Sequence, residues 1–179
     1  MPALVIDTSC AAVSAAVVDV AGGAGQLATI EVRAARVTLN ARGHGELLAP
    51  SIQACLAEAG IRAAELSAVV AGTGPGPFTG LRVGLVTAAV LADTLAVPAY
   101  GVCSLDGIGH ACAGEAQLLV ATDARRHEVY WARYRHGVRI GEPEVSRPAD
   151  IDLGGYTAVA GAGARSYDIG AGRGGAALV

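Results

Sequence analysis

The sequence predicts a mixed α/β fold built from two similar lobes. Three observations carry that expectation. Residues 3–35 read as three short strands joined by tight connections. Residues 45–113 then alternate helix and strand, which is the βα pattern of a sheet with helices on its faces. After residue 115 the three-strand opening begins again, so a βββαβαβα block is followed by a second βββ. A duplicated fold is expected, with lobes at 1–114 and 115–179.

The elements follow in order. Residues 3–8 (Ala-Leu-Val-Ile-Asp-Thr) are short, apolar and ended by polar groups, as a buried strand should be. Residues 12–20 carry Val13, Val17, Val18 and Val20. Gly22-Gly23-Ala24-Gly25 is a turn cluster, and Leu27, Thr29, Ile30 and Val32 mark a third strand. From Gly45 to Gly60 the apolar positions Leu47, Leu48, Ile52, Cys55, Leu56 and Ala59 recur at helical spacing, with Gly60 as the stop signal. Ala68-Val69-Val70-Ala71 is a continuous apolar run of the parallel-strand kind. Thr79 can cap a second helix reaching about Leu95, and 99–103 with 104–113 make a further strand and short helix. In the second lobe Gln117–Asp123, the alternating 127–135, Val138–Val145 and Thr157–Ala160 read as strands. Residues 161–179 are mostly Gly and Ala with little to pack, so this lobe is expected to be incomplete, either because the natural protein is longer or because internal residues are absent.

Composition narrows the function. The chain has 179 residues, a net charge of −3, 53% hydrophobic and 16% charged residues, which excludes disordered and fibrous classes. All 13 basic residues are arginine, and 38 residues are alanine. An acidic chain with scattered arginines makes a poor stand-alone nucleic-acid binder, because phosphate neutralisation needs a clustered basic face. Cys10, Cys55, Cys103 and Cys112 are far apart, so zinc-finger and thioredoxin patterns fail. Neither a signal peptide nor a membrane span is expected, and reduced thiols fit a cytoplasmic protein.

Three motifs carry candidate chemistry. Asp7-Thr8-Ser9 follows the first strand, where two-lobed kinases place a phosphate or metal ligand. Equally, Asp7 and Thr8 can satisfy turn backbone groups. Gly72-Thr73-Gly74-Pro75-Gly76-Pro77-Phe78-Thr79-Gly80-Leu81-Arg82-Val83-Gly84 has glycines leading into a helix N-terminus. It lacks the lysine of a Walker loop, and Pro75 and Pro77 remove two donors, so a rigid strand-to-helix connection is the more physical reading. Asp123-Ala124-Arg125-Arg126 occupies the equivalent turn of the second lobe, where it can bind an anion or form a solvated hairpin tip.

The helix after Pro77 also carries Gly80, Gly84, Ala88 and Ala92 in one smooth stripe. That stripe packs either on its own sheet or against a partner helix. His44, His110, His127 and His136 show no ligand spacing, and no nucleophile–base pair is visible around Ser9, Ser104 or Ser146. Tyr130, Trp131 and Tyr134 suit lobe packing better than base stacking.

Taken together, Asp7-Thr8-Ser9, His44-Gly45-Glu46-Leu47-Leu48, the Gly74–Gly84 segment, Asp123–Arg126 with Glu128-Val129-Tyr130, and Gly161-Ala162-Gly163 resemble the TsaB family, also called YeaZ. The resemblance runs from residue 3 to about 163. It departs at Pro77, where the family more often has serine, and at the missing Pro-rich C-terminal end. It implies the two-lobed acetate/sugar kinase, chaperone and actin-like fold, ribonuclease H-like in each lobe. It further implies a bacterial, non-catalytic subunit that pairs with a TsaD-like catalytic subunit and a TsaE-like ATPase. That complex installs threonylcarbamoyl on an adenosine beside the tRNA anticodon.

The catalytic sibling begins Glu-Thr-Ser-Cys-Asp-Glu and holds a metal with His-x-Glu-Gly-His. Here Ala11 and Ala12 replace the later carboxylates, and Leu48 replaces the second histidine. One imidazole alone does not hold an ion firmly. No metal and no cofactor are therefore expected on this chain; ATP and a metal belong to the partners. The expected partner interface on the first helix is Leu47, Leu48, Ile52, Cys55 and Leu56. On the second it is Gly80, Leu81, Gly84, Ala88 and Leu91, so a large residue at Gly84 should abolish partner binding. Asp7, Thr8, Ser9, Asp123, Arg125, Arg126, Gly161 and Gly163 are expected to form degenerate phosphate loops. The isolated chain is expected to form a homodimer and to meet tRNA only through the complex. The competing reading is an ATP-binding enzyme of the same superfamily: an ATPase, small-molecule kinase or peptidase-like protein.

Overall fold

A computed structural model of the chain describes residues 1–22, 29–170 and 177–178. The turn at Gly23–Gly25 and the strand start at Leu27 lie outside the described residues. The chain divides into two compact units, Met1–Val102 and Cys103–Val179.

The first unit is a five-stranded mixed sheet. Strands β1 (Pro2–Asp7), β2 (Ala12–Ala21) and β3 (Thr29–Leu39) form the expected antiparallel meander. Helix α1 (His44–Ala59) leads to β4 (Ala68–Gly72), and helix α2 (Phe78–Leu95) to β5 (Ala99–Val102). The strand order is β3-β2-β1-β4-β5, with β4 parallel to both β1 and β5. Gly60 ends α1 in the left-handed conformation at φ 68°, and its N–H donates to the Ala57 carbonyl.

The period-2 pattern of the strands decides which face each residue takes. Leu4, Ile6, Val13, Val17 and Val69 point to the helices and meet Leu48, Ile52, Cys55, Ala88 and Ala92 in one core. Each large aliphatic side chain there contributes about 1.5–3 kcal/mol by leaving water. By length and composition α2 matches a membrane span. Its Gly84–Ala88–Ala92 face nevertheless packs into this core.

The second unit begins with α3 (Ser104–Ala111), followed by β6 (Leu118–Arg125), β7 (Glu128–Arg135) and β8 (Val138–Ser146). Then come β9 (Ala158–Ala160), α4 (Ala162–Ser166) and β10 (Ala177–Leu178), in the sheet order β10-β9-β6-β7-β8. Both faces of β6 are covered. Leu119 and Ala121 meet Val129, Trp131 and Ile151, while Leu118 and Val120 meet Tyr134 and Leu105. Trp131 and Tyr134 are thus packing residues.

Two expectations change. The division falls after Val102, not at 114–116, because α3 seals the second sheet: a Cβ on Gly109 would sit 2.4 Å from the Tyr134 ring. Residues 161–170 do pack. Gly163, Ala164 and Ile169 are buried in and just after α4.

Candidate functional site

The loop after β1 is closed by its own groups. The Ser9 N–H donates to Asp7 Oδ1 at 2.7 Å, a local turn that engages one oxygen of the carboxylate. The Thr8 hydroxyl donates to the Gly80 carbonyl at 2.8 Å and accepts the Gly84 N–H at 2.9 Å. Both bonds tie the loop to the N-terminal turns of α2. Thr8 and Ser9 are both buried.

The glycines of the Gly74–Gly84 segment form the socket for this loop. A Cβ on Gly76 would lie 1.9 Å from the Ser9 carbonyl oxygen, and one on Gly84 2.5 Å from Thr8 Oγ1. A Cβ on Gly80 would lie 2.9 Å from the Thr8 carbonyl oxygen and 3.3 Å from the His44 ring. Gly74–Pro75 is a cis peptide bond. The space beside Gly76, Gly80 and Gly84 is filled by residues 8 and 9 and by the His44 ring.

His44 sits at the first turn of α1, buried, with Nε2 2.8 Å from the Cys10 carbonyl oxygen. A carbonyl oxygen only accepts, so Nε2 carries the proton and donates it. One turn on, Leu48 is 1% exposed and lies in the core. Among the described residues no group of three or more His, Cys, Asp or Glu side chains is placed to hold a metal.

The second unit repeats the theme. Asp123 lies two residues before the end of β6, and the Tyr167 hydroxyl donates to its Oδ1 at 3.0 Å, which raises the Tyr167 pKa. His127 meets the Tyr167 ring edge-on. Arg125, Arg126 and His127 are all left-handed, with φ of 66°, 54° and 61°, in an exposed hairpin turn. Gly161 adopts φ 100°, and a Cβ there would lie 2.3 Å from the Ala121 carbonyl oxygen. A Cβ on Gly163 would lie 2.8 Å from the Thr122 carbonyl carbon. These two glycines let α4 pass close beneath the end of β6.

The expected interface residues need correction. Leu48, Ile52, Cys55, Gly84 and Ala88 are buried in the lobe's own core, and Leu47, Leu56 and Leu91 pack against that core. Leu81 is half-buried beside Gly74, and Gly80 is half-buried against Thr8 and His44. The small-residue stripe faces the sheet and the first loop. A large residue at Gly84 would therefore disrupt the lobe itself. Burial raises the Cys55 thiol pKa, and its Sγ–H reaches the Ala15 carbonyl at 3.2 Å.

The apolar residues that α2 does present to solvent are Phe78, Val86 and Val90. Their spacing follows from the stripe, since positions half a turn away from Gly84 and Ala88 must face outward. Arg82 lies 5.2 Å over the Phe78 ring within that ridge.

Fold and loops together define a two-lobed α/β protein of the ribonuclease H-like, actin-like class. The family whose model is described as TsaD: tRNA N6-adenosine threonylcarbamoyltransferase matches residues 37–158. YeaZ from Pseudomonas aeruginosa is similar over the whole chain and 84% of its own, with TM-score 0.78 and 26% identity. The Escherichia coli tRNA threonylcarbamoyladenosine biosynthesis protein TsaB is 32% identical over 143 residues, 72% of this chain and 62% of its own length. An uncharacterized protein of Mycobacterium leprae is 52% identical over 158 residues, covering 88% of this chain. The chain spans only 42% of that relative's length. The chain belongs to the TsaB (YeaZ) family.

Proposed function

We propose that this chain acts in tRNA threonylcarbamoyladenosine biosynthesis as a non-catalytic subunit supporting a TsaD-like catalytic partner and a TsaE-like ATPase. One observation carries the reading. The single imidazole at the position of a metal motif donates its Nε2 proton to the Cys10 carbonyl, and the next turn carries buried Leu48. A lone imidazole, with a buried leucine one helical turn on, does not hold an ion firmly. The first loop supports the same reading, since Asp7, Thr8 and Ser9 satisfy one another and α2. The chain then holds no nucleotide or metal of its own, and it meets tRNA in the cytoplasm only within the complex.

The partner surface in this reading is the outer ridge of α2, Phe78, Val86 and Val90, in place of the buried stripe. The test is calorimetry with the TsaD-like protein of the same cell. Val86→Glu and Val90→Glu should each weaken binding at least about tenfold, because each buries a charge in an apolar contact. Unchanged affinity in both variants would place the contact elsewhere. Titration with ATP and magnesium should give no turnover; micromolar binding with turnover would favour the ATP-binding enzyme.

A further inference from the structure

We propose that a cavity in the second unit binds a free α-amino acid with an apolar side chain. The cavity is bounded by the β6–β7 turn, the segment 147–153 and the turn after α4. It lies within residues 127–170, and its reading does not depend on the α2 ridge or on any partner.

The floor is apolar and firmly held. Ile151, Leu153 and Ile169 line the cavity and belong to the buried core that Trp131 and Ala164 share. The volume is about 470 Å³. Sites for small molecules usually enclose roughly 300–1,000 Å³ and combine such an apolar floor with a few polar groups.

Two opposite charges border the same space without meeting. Arg147 and Asp168 both line the cavity, and among the described residues neither side chain has an ion pair or a hydrogen bond. A guanidinium and a carboxylate held apart in this way match a ligand of the reverse arrangement: a carboxylate on Arg147 and an ammonium on Asp168. The same charges disfavour a phosphate monoester. It carries about −1.5 to −2 and would face Asp168 with one arginine in the lining to offset it. A zwitterion satisfies both groups and leaves its side chain to the floor.

The polar corners are built at a conformational cost. Asp168 closes α4 in the left-handed conformation at φ 51°, and the Ile169 N–H donates across it to the Ala164 carbonyl at 3.0 Å. Glycine is the usual residue in such a helix-ending turn, so this one gives up ease of folding to keep a carboxylate at the cavity. His127 is also left-handed, and its ring stands edge-on to Tyr167 with centroids 6.4 Å apart. Both rings line the cavity, where they extend its apolar surface. The Tyr167 hydroxyl donates to Asp123 and so does not compete for the ligand.

The experiment is an amide chemical-shift titration of the whole chain with L-phenylalanine and L-leucine. Both should bind saturably, with a dissociation constant of about 1 mM or tighter, and shift amides within residues 127–170. Hydrocinnamate lacks the ammonium and phenethylamine lacks the carboxylate, so each should bind at least about tenfold more weakly than phenylalanine. Arg147→Gln and Asp168→Asn should each weaken phenylalanine at least about tenfold. Arg147→Gln should leave phenethylamine unaffected, and Asp168→Asn should leave hydrocinnamate unaffected. Both positions are exposed, and asparagine tolerates the left-handed turn, so neither variant should lower the melting temperature. Absence of saturable shifts with both amino acids up to about 10 mM overturns the proposal. So does binding that both variants leave unchanged, or shifts confined to the first unit. Saturable shifts at this cavity with inorganic phosphate or AMP, and none with the amino acids, assign it to phosphates and overturn it equally.

Discussion

The Thr8 hydroxyl accepts the Gly84 N–H at 2.9 Å, 76 residues along the chain, and a Cβ on Gly84 would come within 2.5 Å of that same oxygen. One atom thus explains both the threonine and the glycine. The hydroxyl needs a donor in a buried place, and the helix can offer its N–H only where no side chain intervenes. Thr8 also donates to the Gly80 carbonyl, so one hydroxyl serves two backbone groups of α2.

A double-mutant cycle should read this coupling. Thr8→Ala removes both hydroxyl bonds to α2, which should cost about 1–3 kcal/mol. Gly84→Ala overpacks the same spot and should cost a similar amount. In Thr8→Ala/Gly84→Ala the oxygen that clashes is gone, so the double variant should be more stable than the sum of single losses by at least about 0.5 kcal/mol. Urea midpoints measure all of these. Strict additivity would show that the two residues act independently.

Much of this was legible from local pattern. The helix periodicity of 45–60, the apolar run 68–71 and the alternation of 127–135 each lie within one element, and the element order follows from them. The direction of the Gly80–Gly84–Ala88 stripe was not legible. A bare stripe suits a sheet, a loop or a partner helix equally, and the atom that decides is Thr8 Oγ1, distant in sequence. The same holds for α3: its helical pattern is local, but its attachment to the second sheet depends on Tyr134, 25 residues beyond Gly109. The Phe78–Val86–Val90 ridge, by contrast, was readable as the complement of the stripe once the stripe's direction was known.

His44→Ala should destabilise the first unit by about 0.5–1.5 kcal/mol, because the hydrogen bond from the buried imidazole to the Cys10 carbonyl is lost. Manganese at about 1 mM should leave the melting temperature of the unaltered chain unchanged, since a ligand that binds the native state would raise it. Leu48→His should not restore a metal site. It replaces a side chain 1% exposed in the core with a polar ring lacking a partner, and it should cost about 2–5 kcal/mol. A manganese-dependent rise in melting temperature for either protein would contradict this account of the motif.

Gly161→Ala should be among the most damaging single-methyl additions in the second unit. The residue holds φ 100°, which side chains disfavour, and its Cβ would meet the Ala121 carbonyl oxygen at 2.3 Å. Strain and overlap together should cost about 2–4 kcal/mol by urea denaturation. At Gly114, where a Cβ meets nothing within 4 Å, the same substitution should change stability by under about 1 kcal/mol. Equal losses at the two sites would mean that local crowding beneath β6 is not what selects glycine.

Tyr134 gives the protein a dependence on alkaline pH. Its ring is fully buried, and its hydroxyl donates to Asp106 Oδ1 at 2.8 Å, an oxygen that also pairs with Arg139. Burial first, and then the bond and charge of Asp106, push the phenol well above the ordinary tyrosine range. A raised pKa means that the folded protein keeps its proton where the unfolded chain has lost it. The stability linked to Tyr134 is therefore complete below about pH 10, the unfolded value, and declines as pH rises beyond it. The decline should approach about 1.4 kcal/mol per pH unit, the cost of holding one extra proton in the folded state. In Tyr134→Phe the hydroxyl is gone and so is this slope, although the variant is less stable at neutral pH because Asp106 loses a donor. Urea midpoints measured from pH 8 to pH 11 should converge for the two proteins above pH 10. Parallel curves across that range would show that Tyr134 titrates at an ordinary pKa and that its contact with Asp106 does not hold the proton.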